Sequence, residues 1–378
     1  MMKCLNKKIK VIHITEPTHG GVKRYLIDLL YNIDINKFDI TFIYSRIRTE
    51  HWFDKELEHI KERGIKCIEI PMRREIRPIA DLKALFAITT QLIMLKPNIV
   101  HAHSSKAGVL GRCAAIFTMR DIKVIYTPHG MAFYERRWSK YVEKILSPLT
   151  DILIAVSPSE GHDILSEGII VSKKLRVIAP SYKDMLKTGY STNSHSMLTI
   201  TACGRICYVK NSLLFFKAAC FVLKKIKNVK FIWIGDFTEQ DEESNQVKAF
   251  LSENTEAKNI EITGWIESPN LYIEQSDIFL ALSRHESFGY ATIDAMMLEK
   301  AIIATKVTGN IDLIKNYITG ILVDQNVESV ALAIIKLIND ETLRLAIGKQ
   351  AKAYAEKEYS MKKMINRLHT LYEEIISS

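Results

Sequence analysis

Short runs of β-branched and aliphatic residues alternate with stretches of helical periodicity along most of the chain. This alternation predicts parallel strands connected by helices that cover both faces of a sheet. Seven strands are predicted before residue 180, at 9–15, 38–44, 66–70, 98–102, 123–127, 151–156 and 175–178. The helical stretches between them include 22–33, 79–95 and 105–117. The first half of the chain is therefore expected to form one doubly wound α/β domain.

A segment of small and polar residues, SYKDMLKTGYSTNSHS at 181–196, interrupts this alternation. Six further strands are predicted after it, at 198–202, 230–234, 259–262, 277–282, 301–304 and 320–323. Helices are predicted to close the chain at 327–339, 341–357 and 361–376. The expected fold class is α/β, with two doubly wound Rossmann-like domains that face each other across a cleft. Their predicted bounds are 1–180 and 198–360, with a linker at 181–197.

The composition supports this organisation. A chain of 378 residues is too long for one ordinary core, and 47% hydrophobic with 25% charged residues is typical of a globular protein rather than a disordered one. The net charge of +9 is unevenly distributed. Residues 1–180 carry 29 Lys and Arg against 19 Asp and Glu, whereas the remainder carries 23 against 24. The basic half could face anionic lipid, nucleic acid or a phosphorylated acceptor, or it could be an ordinary solvated surface.

The cysteines and the apolar runs indicate the compartment. Six cysteines are scattered, and only Cys203 and Cys207 are close, without a histidine or second pair that would complete a zinc site. No uninterrupted apolar run reaches the roughly 18–20 residues of a membrane span, and the N-terminus has no apolar stretch typical of a signal peptide. We therefore expect a cytoplasmic protein with reduced thiols.

Two loops after predicted strands of the first half contain turn-forming residues. Ligands bind open parallel sheets at the carboxyl ends of strands, so such loops are candidate sites. The loop EPTHGG ends in Gly20-Gly21 before a helix, whose N-terminus attracts negative charge. It is not a GxGxxG fingerprint, and a tight turn without function is the alternative. In TPHG, the imidazole of His129 could bind a hydroxyl or stabilise developing charge, unless it is merely polar surface.

A third loop carries HAHSSK at the end of the predicted strand 98–102. The side chains of His101 and His103 are two residues apart and share one face of the strand. No carboxylate cluster adjoins them, so we do not expect a metal site. We expect this segment to bind an acceptor hydroxyl or phosphate, through the residues His103, Ser104, Ser105 and Lys106.

A glycine and two cations follow the first strand of the second half. Gly204-Arg205 and Lys210-Asn211 precede a predicted helix, an arrangement suited to a diphosphate. A departing nucleoside diphosphate gains negative charge as its bond to the sugar breaks. Cations at this place would therefore stabilise the transition state more than the ground state. In isolation the segment could also be a solvated turn.

The segment SRHESFGYATID, Ser283–Asp294, combines a loop with the start of a helix near Gly289. Glu286 precedes the helix, where its carboxylate could accept hydrogen bonds from sugar hydroxyls. Asp294 lies one turn into the helix and could bind ribose hydroxyls. The backbone N–H groups of the loop could also bind phosphate.

Taken in order, these motifs resemble a known family. The chain resembles the retaining GT-B glycosyltransferases of family 4, glycosyl transferases group 1, of the bacterial surface-polysaccharide type. The resemblance extends over nearly the whole length and rests on GG, HAHSSKAGVLGRCAA, TPHG, GR with KN, SRHESFGYATID, AIIAT, TGN and GILV.

The resemblance implies roles for individual positions. Catalytic roles are implied for His129, Arg205, Lys210 and Glu286. Donor binding is implied for Gly20, Gly21, Gly204, Arg205, Lys210, Glu286, Ser287, Phe288, Gly289 and Asp294. The N-terminal domain would bind the acceptor, and the final helix, 361–378, would cross back to that domain. No metal or other cofactor is implied.

Several positions depart from the family pattern, two of them among the implied donor-binding residues. Asp294 stands where the family usually has Glu, so its carboxylate reaches less far by about one bond, roughly 1.5 Å. Ser287 stands where Gly is usual. These changes affect the expected ribose contacts and donor preference rather than the fold.

The expected function is retaining transfer of a hexosyl or N-acetylhexosaminyl group from a UDP-linked sugar to a lipid-linked saccharide, in O-antigen or capsule assembly. Peripheral contact with an anionic membrane at the inner face of the plasma membrane would suit the basic first half. One alternative is a sugar-nucleotide 2-epimerase of the same architecture, which would need no acceptor. A basic nucleic-acid-binding protein is the alternative from another class, although the basic residues lack interleaved aromatic residues for stacking.

Overall fold

The computed structural model describes residues 8–50, 52–134, 136–182 and 197–377. The chain divides into two compact units, Met1–Ser181 with Met361–Ser378, and Tyr182–Ser360. Each unit is built around one parallel sheet. The predicted linker, 181–197, falls almost entirely outside the described residues and stays a prediction.

The sheet of the first unit has, within the described ranges, seven parallel strands in the order β3-β2-β1-β4-β5-β6-β7. The strands are β1 (Ile9–Thr15), β2 (Phe38–Tyr44), β3 (Lys66–Glu69), β4 (Ile99–His103), β5 (Lys123–Thr127), β6 (Ile152–Ala155) and β7 (Leu175–Val177). The helices between them are α1 (Gly20–Asn32), α2 (Phe53–Glu62), α3 (Pro78–Leu95), α4 (Ser105–Phe117), α5 (Ser139–Leu146) and α6 (Pro158–Ser166). Because parallel crossovers are right-handed, the reversal of strand order at β1 places α1 and α2 on one face and α3 to α6 on the other.

The second unit repeats this topology with six parallel strands in the described part of the chain, in the order β10-β9-β8-β11-β12-β13. The strands are β8 (Leu198–Cys203), β9 (Val229–Ile234), β10 (Ile260–Ile262), β11 (Ile278–Ala281), β12 (Ala301–Thr305) and β13 (Ile321–Val323). The helices are α7 (Ser212–Lys225), α8 (Glu242–Glu253), α9 (Pro269–Glu274), α10 (Tyr290–Met297), α11 (Asn310–Leu313), α12 (Val327–Asn339) and α13 (Glu341–Glu358).

The last helix, α14 (Met361–Ser377), belongs to the first unit and packs beside α1. Its inward stripe follows the helical period and includes Met364, Leu368, Leu371, Tyr372 and Ile375. Two polar contacts accompany this packing. His369 accepts a hydrogen bond from the backbone N–H of Asp34, and Glu373 pairs with Lys37 at 3.0 Å.

The predicted α/β class and all thirteen predicted strands are confirmed, with ends that differ by at most one residue. Buried β-branched and aliphatic side chains explain this agreement, since strands covered on both faces read as continuous apolar runs. In β1, for example, Val11, Ile12 and Ile14 are almost fully buried.

One described helix, α3, is long and apolar enough to cross a membrane by length and composition alone. Only 17% of it is buried. Its inward residues Ala84, Ile88 and Leu92 pack against the first sheet.

Candidate active site

The candidate loops lie beside the point in each sheet where the strand order reverses. In the first unit this point is between β1 and β4, and in the second it is between β8 and β11. Adjacent parallel strands whose connections run in opposite directions leave a crevice at their carboxyl ends. The loops after β1, β4, β8 and β11 carry the predicted site residues apart from His129, which lies in the loop after β5, the strand next to β4. Topology therefore brings the candidates together in two groups, one in each unit.

A lysine–glutamate pair forms the centre of the group in the second unit. Lys210 Nζ donates to Glu286 Oε2 at 2.6 Å, and Ser283 Oγ donates to the same oxygen at 3.2 Å. Burial opposes the charge of Lys210, but the attraction of Glu286 and its hydrogen bond exceed this effect, so the pKa of Lys210 lies above its ordinary value. The ammonium group therefore stays charged at neutral pH, within the pocket that also includes Cys203 and Thr292.

Two loops are joined around this pair by Arg284. Its backbone N–H donates to Val209 O at 2.9 Å, and its guanidinium contacts Glu243 and the carbonyl of Tyr208. Glu243 is 3% exposed and also accepts a hydrogen bond from the backbone N–H of Leu213, in the first turn of α7. The loops after β8 and β11 are thus held as one body, which preorganises Lys210 and Glu286.

Two helix N-termini flank the same pocket. The helix α7 follows Asn211 in a left-handed conformation, and α10 follows Gly289, also left-handed. Neither helix has an acidic residue in its first turn. The positive end of α10 therefore remains suited to an anion such as a diphosphate, whereas the first turn of α7 already binds the carboxylate of Glu243 through Leu213.

Glycines allow the close packing of these loops. Gly204 has φ of +147°, and the aliphatic part of Lys210 would lie 3.2 Å from a Cβ at this position. Gly309 has φ of +80°, and a Cβ there would come within 2.6 Å of the carbonyl oxygen of Glu286. The loop that carries Glu286 is therefore supported from behind by backbone, which leaves no room for a side chain.

The remaining donor-side candidates differ in exposure. Arg205 is exposed, and its guanidinium has no partner among the residues that the structure describes. Ser287 is half-buried, and Asp294 is 5% exposed within α10. The ring of Phe288 is 4% exposed and packs edge-on against Tyr359, so only its backbone is placed to meet a ligand. Their binding roles stay predictions.

The group in the first unit is a line of three histidines. His13 Nδ1 lies 3.0 Å from His103 Nε2, and His103 Nδ1 lies 3.0 Å from His129 Nε2. Burial lowers the pKa of His13 and that of His129 to about 3, and it lowers the pKa of His103 well below its ordinary value. All three rings are therefore neutral, and each N–H···N bond has one donor and one acceptor.

The direction of these hydrogen bonds follows from the buried end of the line. His13 Nε2 is buried without a partner in the described part of the chain. A buried N–H without an acceptor is rarer in proteins than an unpaired acceptor. We therefore assign the proton of His13 to Nδ1, so that His13 donates to His103 and His103 donates to His129. His129 then carries its proton on Nδ1 and can donate it to a ligand.

A fourth histidine, His101, supports the line from the side. Its Nδ1 lies 2.6 Å from the hydroxyl of Tyr372 in α14, and its Nε2 lies 2.8 Å from Thr127 Oγ1. The rings of His13, His101 and His103 each offer a nitrogen within 4.8 Å of the others, a grouping that could hold a metal ion. Hydrogen bonds already engage both nitrogens of His101 and of His103. The predicted absence of a metal stays a prediction.

The backbone around His129 is held by a buried carboxylate. His129 has φ of +55°, a conformation that is uncommon for residues other than glycine. Glu160 is fully buried and accepts hydrogen bonds from the N–H groups of Gly130, at 3.1 Å, and Val156, at 2.8 Å. Burial raises the pKa of Glu160 to about 7. This residue fixes the turn that presents His129.

The predicted acceptor residues have the following surroundings. His103 is fully buried between two other histidines, so it can influence a ligand only through His129. Lys106 Nζ donates hydrogen bonds to both carboxylate oxygens of Asp81 at 2.8 Å and to the backbone carbonyl of Glu75 at 2.9 Å. Ser104 and Ser105 are half-buried at the start of α4.

The predicted Gly20-Gly21 loop is exposed at the start of α1. The backbone N–H of Gly20 donates to Glu50 Oε1 at 2.7 Å, and Glu50 also pairs with Lys23 at 2.6 Å. A carboxylate of the protein itself thus occupies the positive end of this helix, and the donor-binding role of Gly20 and Gly21 stays a prediction.

Sequence reasoning missed His13, Glu160 and Tyr372. The register between β1 and β4 pairs His13 with His101 and Thr15 with His103. Aligning the carboxyl ends of the two predicted strands would have placed His13 beside the HAH motif. No comparable signal in the sequence links Tyr372 to His101, which it follows by 271 positions.

Comparison with known proteins agrees with this architecture. Residues 19–182 match the family described as Glycosyltransferase Family 4, and residues 193–354 match Glycosyl transferases group 1. The chain belongs to the family 4 glycosyltransferases. Its two parallel sheets are those of the GT-B fold. The family models and the relatives they agree with show that the enzyme is a glycosyltransferase.

Several relatives span almost the whole chain. The capsular polysaccharide biosynthesis glycosyltransferase CapM of Staphylococcus aureus is 27% identical over 89% of this chain and 90% of its own length. The UDP-Gal:alpha-D-GlcNAc-diphosphoundecaprenol alpha-1,3-galactosyltransferase of Escherichia coli is 25% identical over 99% of each chain. Among solved structures, Anabaena Alr3699/HepE in complex with UDP and glucose has a TM-score of 0.82 and 16% identity, and covers 97% of this chain and 100% of its own. The last similarity concerns the fold alone.

Proposed function

We propose that this glycosyltransferase moves a hexosyl or N-acetylhexosaminyl group from a UDP-linked sugar to a lipid-linked saccharide, with retention at the anomeric carbon. The observation that carries this proposal is the charged Lys210–Glu286 pair between two helix N-termini at the reversal point of the second sheet. A cation at this place can neutralise a leaving diphosphate.

The names of relatives support the choice of substrates. The Escherichia coli relative is named for UDP-galactose as donor and for a diphosphoundecaprenol-linked acceptor. CapM is named for capsular polysaccharide biosynthesis. By analogy, we propose that this chain acts in O-antigen or capsule assembly, at the inner face of the plasma membrane.

In the proposed reaction, the bond between the anomeric carbon and the β-phosphate oxygen breaks, and its electron pair remains on the diphosphate. Lys210 and Arg205 stabilise that charge. The acceptor hydroxyl forms the new bond on the same face of the sugar and passes its proton to the leaving phosphate oxygen. The products are the extended saccharide and UDP, and the reaction as proposed needs no metal ion.

The remaining site residues are proposed to orient the substrates. Glu286 holds Lys210 and accepts a hydrogen bond from a sugar hydroxyl, while Asp294 serves the ribose. His129 donates its Nδ1 proton to a hydroxyl of the transferred sugar. Because the histidine line is neutral, His129 would act here as a hydrogen-bond donor rather than as a charged acid.

A donor panel with the purified enzyme tests this proposal. Thermal shift should identify the bound nucleotide sugar, since a ligand that binds the folded state raises the unfolding temperature. Transfer to a synthetic lipid-diphosphate saccharide should then release UDP, and NMR of the product should show the anomeric configuration of the donor. Release of UDP from the donor without any acceptor, together with a 2-epimerised sugar, would instead support the epimerase.

A further inference from the structure

The helix α3 has two apolar faces. Its inward face uses Ala84, Ile88 and Leu92 at four-residue spacing. The opposite side carries an outward stripe of exposed apolar residues that follows the same helical period. The stripe consists of Ile79 (74% exposed), Leu82 (64%), Phe86 (75%) and Ile93 (44%). A helix in contact with water normally presents polar residues on its outer face. Large exposed apolar patches commonly mark an interaction surface.

Positive charge adjoins one end of this outward stripe. Arg73, Arg74 and Arg77 are exposed directly before α3, and Lys83 is exposed on the helix itself. Two acidic residues lie in the same stretch, but Asp81 is paired with Lys106. Arg74 interacts with Glu16, which leaves Glu75 against Arg73, Arg77 and Lys83. Exposed arginines beside an apolar stripe are the arrangement that anionic lipid surfaces bind.

The helix α5 repeats this pattern in the same layer. Arg136 and Arg137 are exposed before it, and Trp138, Tyr141 and Ile145 form an exposed ridge at three- and four-residue spacing. Tryptophan and tyrosine are favoured at the boundary between water and lipid. Both α3 and α5 cover the same face of the first sheet, with α4 between them.

We infer that the outward stripe of α3, together with the arginines before it, docks the enzyme on an anionic lipid bilayer. The helix lies in the plane of the interface rather than across the membrane, because its inward face is part of the core of the first unit. A second copy of the chain fits less well, since it would bring the same arginines together. The inference rests on the proposed function in that a lipid-linked acceptor is reached at such a surface.

The location of α3 connects the docking surface to the acceptor side of the first unit. Asp81, in the first turn of α3, holds the ammonium group of Lys106, and Lys106 follows β4 in the predicted acceptor loop. Docking through α3 therefore brings the HAHSSK loop close to the bilayer, where the saccharide of a lipid-linked acceptor would be found.

Sedimentation with vesicles tests the surface directly. The full-length enzyme should bind phosphatidylglycerol–phosphatidylethanolamine vesicles at low salt and bind phosphatidylcholine vesicles much more weakly. The double variant Leu82→Ser/Phe86→Ser should lower binding by about tenfold or more, because two exposed apolar side chains no longer enter the lipid. The variant Arg73→Glu/Arg77→Glu should lower binding to the anionic vesicles and reduce its salt dependence.

The matched control is Leu332→Ser/Leu345→Ser, which changes two leucines of the second unit that are 55% and 53% exposed. It should bind vesicles like the wild type. All four substituted apolar positions are exposed, so circular dichroism and thermal unfolding should show intact folding. Equal binding by wild type and Leu82→Ser/Phe86→Ser would overturn the inference. The inference would also be overturned if the wild type did not bind vesicles but formed a dimer in sedimentation velocity, and if Leu82→Ser/Phe86→Ser dissociated that dimer.

Transfer assays separate this inference from the proposed function. With a short-chain, water-soluble acceptor, Leu82→Ser/Phe86→Ser should have the wild-type rate, whereas with an acceptor embedded in vesicles it should be slower. If the wild type binds vesicles through α3 but transfers no sugar to either acceptor, the proposed function fails and the docking surface stands. If it transfers sugar but does not bind vesicles, the docking inference fails alone.

Discussion

The two sheets share one strand order but place opposite chemistry at the point of reversal. In the first unit this point is lined by four neutral histidines, three of them fully buried. In the second it is lined by Lys210 and Glu286, whose side chains are 32% and 20% exposed. Neutral imidazole rings can satisfy one another's hydrogen-bond donors and acceptors inside the protein, whereas a charged pair retains part of its hydration.

This difference shows that the fold provides a location and the residues provide the chemistry. A charged pair suits a step in which charge develops on a leaving group. A neutral histidine line suits orientation by hydrogen bonds without a change of charge. The charged pair and the histidine line can be tested separately by substitution.

The largest effect is expected from Lys210→Ala. Loss of the ammonium group should reduce kcat by roughly 10²-fold or more, because charge on the leaving diphosphate is no longer neutralised. Steady-state kinetics with the identified donor measure this. The control is Lys230→Ala, whose lysine pairs with Glu261 at 2.7 Å on exposed strand positions and should have normal kinetics. Near-normal turnover of Lys210→Ala would refute the assigned role.

A smaller effect is expected from His103→Leu. The substitution interrupts the line between His13 and His129, so we expect kcat to fall about tenfold with little change in KM, as is usual when a residue that orients another is lost. His103→Gln, which can still donate and accept, should retain more activity. His162→Leu, on a surface position, is the control. If His103→Leu lowers stability but leaves kcat unchanged, the line has only a structural role.

Support for the Glu286 loop can be tested with two glycines. Gly309→Ala would place a Cβ 2.6 Å from the carbonyl oxygen of Glu286, whereas Gly264→Ala has no atom within 4 Å of its Cβ, although both have positive φ. Gly309→Ala should therefore be less stable than Gly264→Ala by roughly 2 kcal/mol and should also lose activity. Denaturant unfolding of both variants measures the difference in the free energy of unfolding. Equal values would show that the Glu286 loop can move away from the added Cβ at little cost.

Acidification should destabilise the first unit more than the second. The pKa of His13 and that of His129 are about 3 when folded, against 6.5 ordinarily. Between these values the unfolded chain binds more protons, so stability falls as the pH decreases through that window. Glu160, with its pKa raised to about 7 from 4.5, and Glu16, whose pKa burial also raises, act in the opposite direction but are two groups against four histidines. Calorimetry at several pH values measures this, and an unfolding temperature that rises on acidification would contradict it.

The smallest effect is expected from chelators. Because hydrogen bonds engage the nitrogens of His101 and His103, we expect prolonged dialysis against a chelator to leave activity unchanged. Elemental analysis should find less than one metal ion per chain. If the wild type instead contained one zinc ion per chain, and if His13→Leu lost that ion, the histidine group would be a metal site.

Much of the fold could be predicted from the sequence because local patterns determine it. Buried strands read as apolar runs, and the start of α10 after Gly289 follows from a glycine in a left-handed conformation. The candidate loops lie where they were predicted, because parallel strands end at one edge of a sheet, while the binding roles of their residues stay predictions.

Contacts between distant segments could not be predicted in the same way. The line from His13 to His129 depends on the register of β1, β4 and β5, and the pairing of Lys106 with Asp81 depends on how α3 approaches α4. Arg284 reads as a surface cation in the sequence, yet it joins two loops through Glu243. Such contacts follow from packing rather than from local propensity.

The return of α14 to the first unit has a consequence for biosynthesis. The second unit is one continuous segment of chain, so it can fold as soon as it has left the ribosome. The first unit contains Tyr372, whose hydroxyl binds His101, and this partner is synthesised only after the whole second unit. The first unit is therefore begun before the second unit but completed after it, and His101 gains its hydrogen bond to Tyr372 only once the second unit has been made.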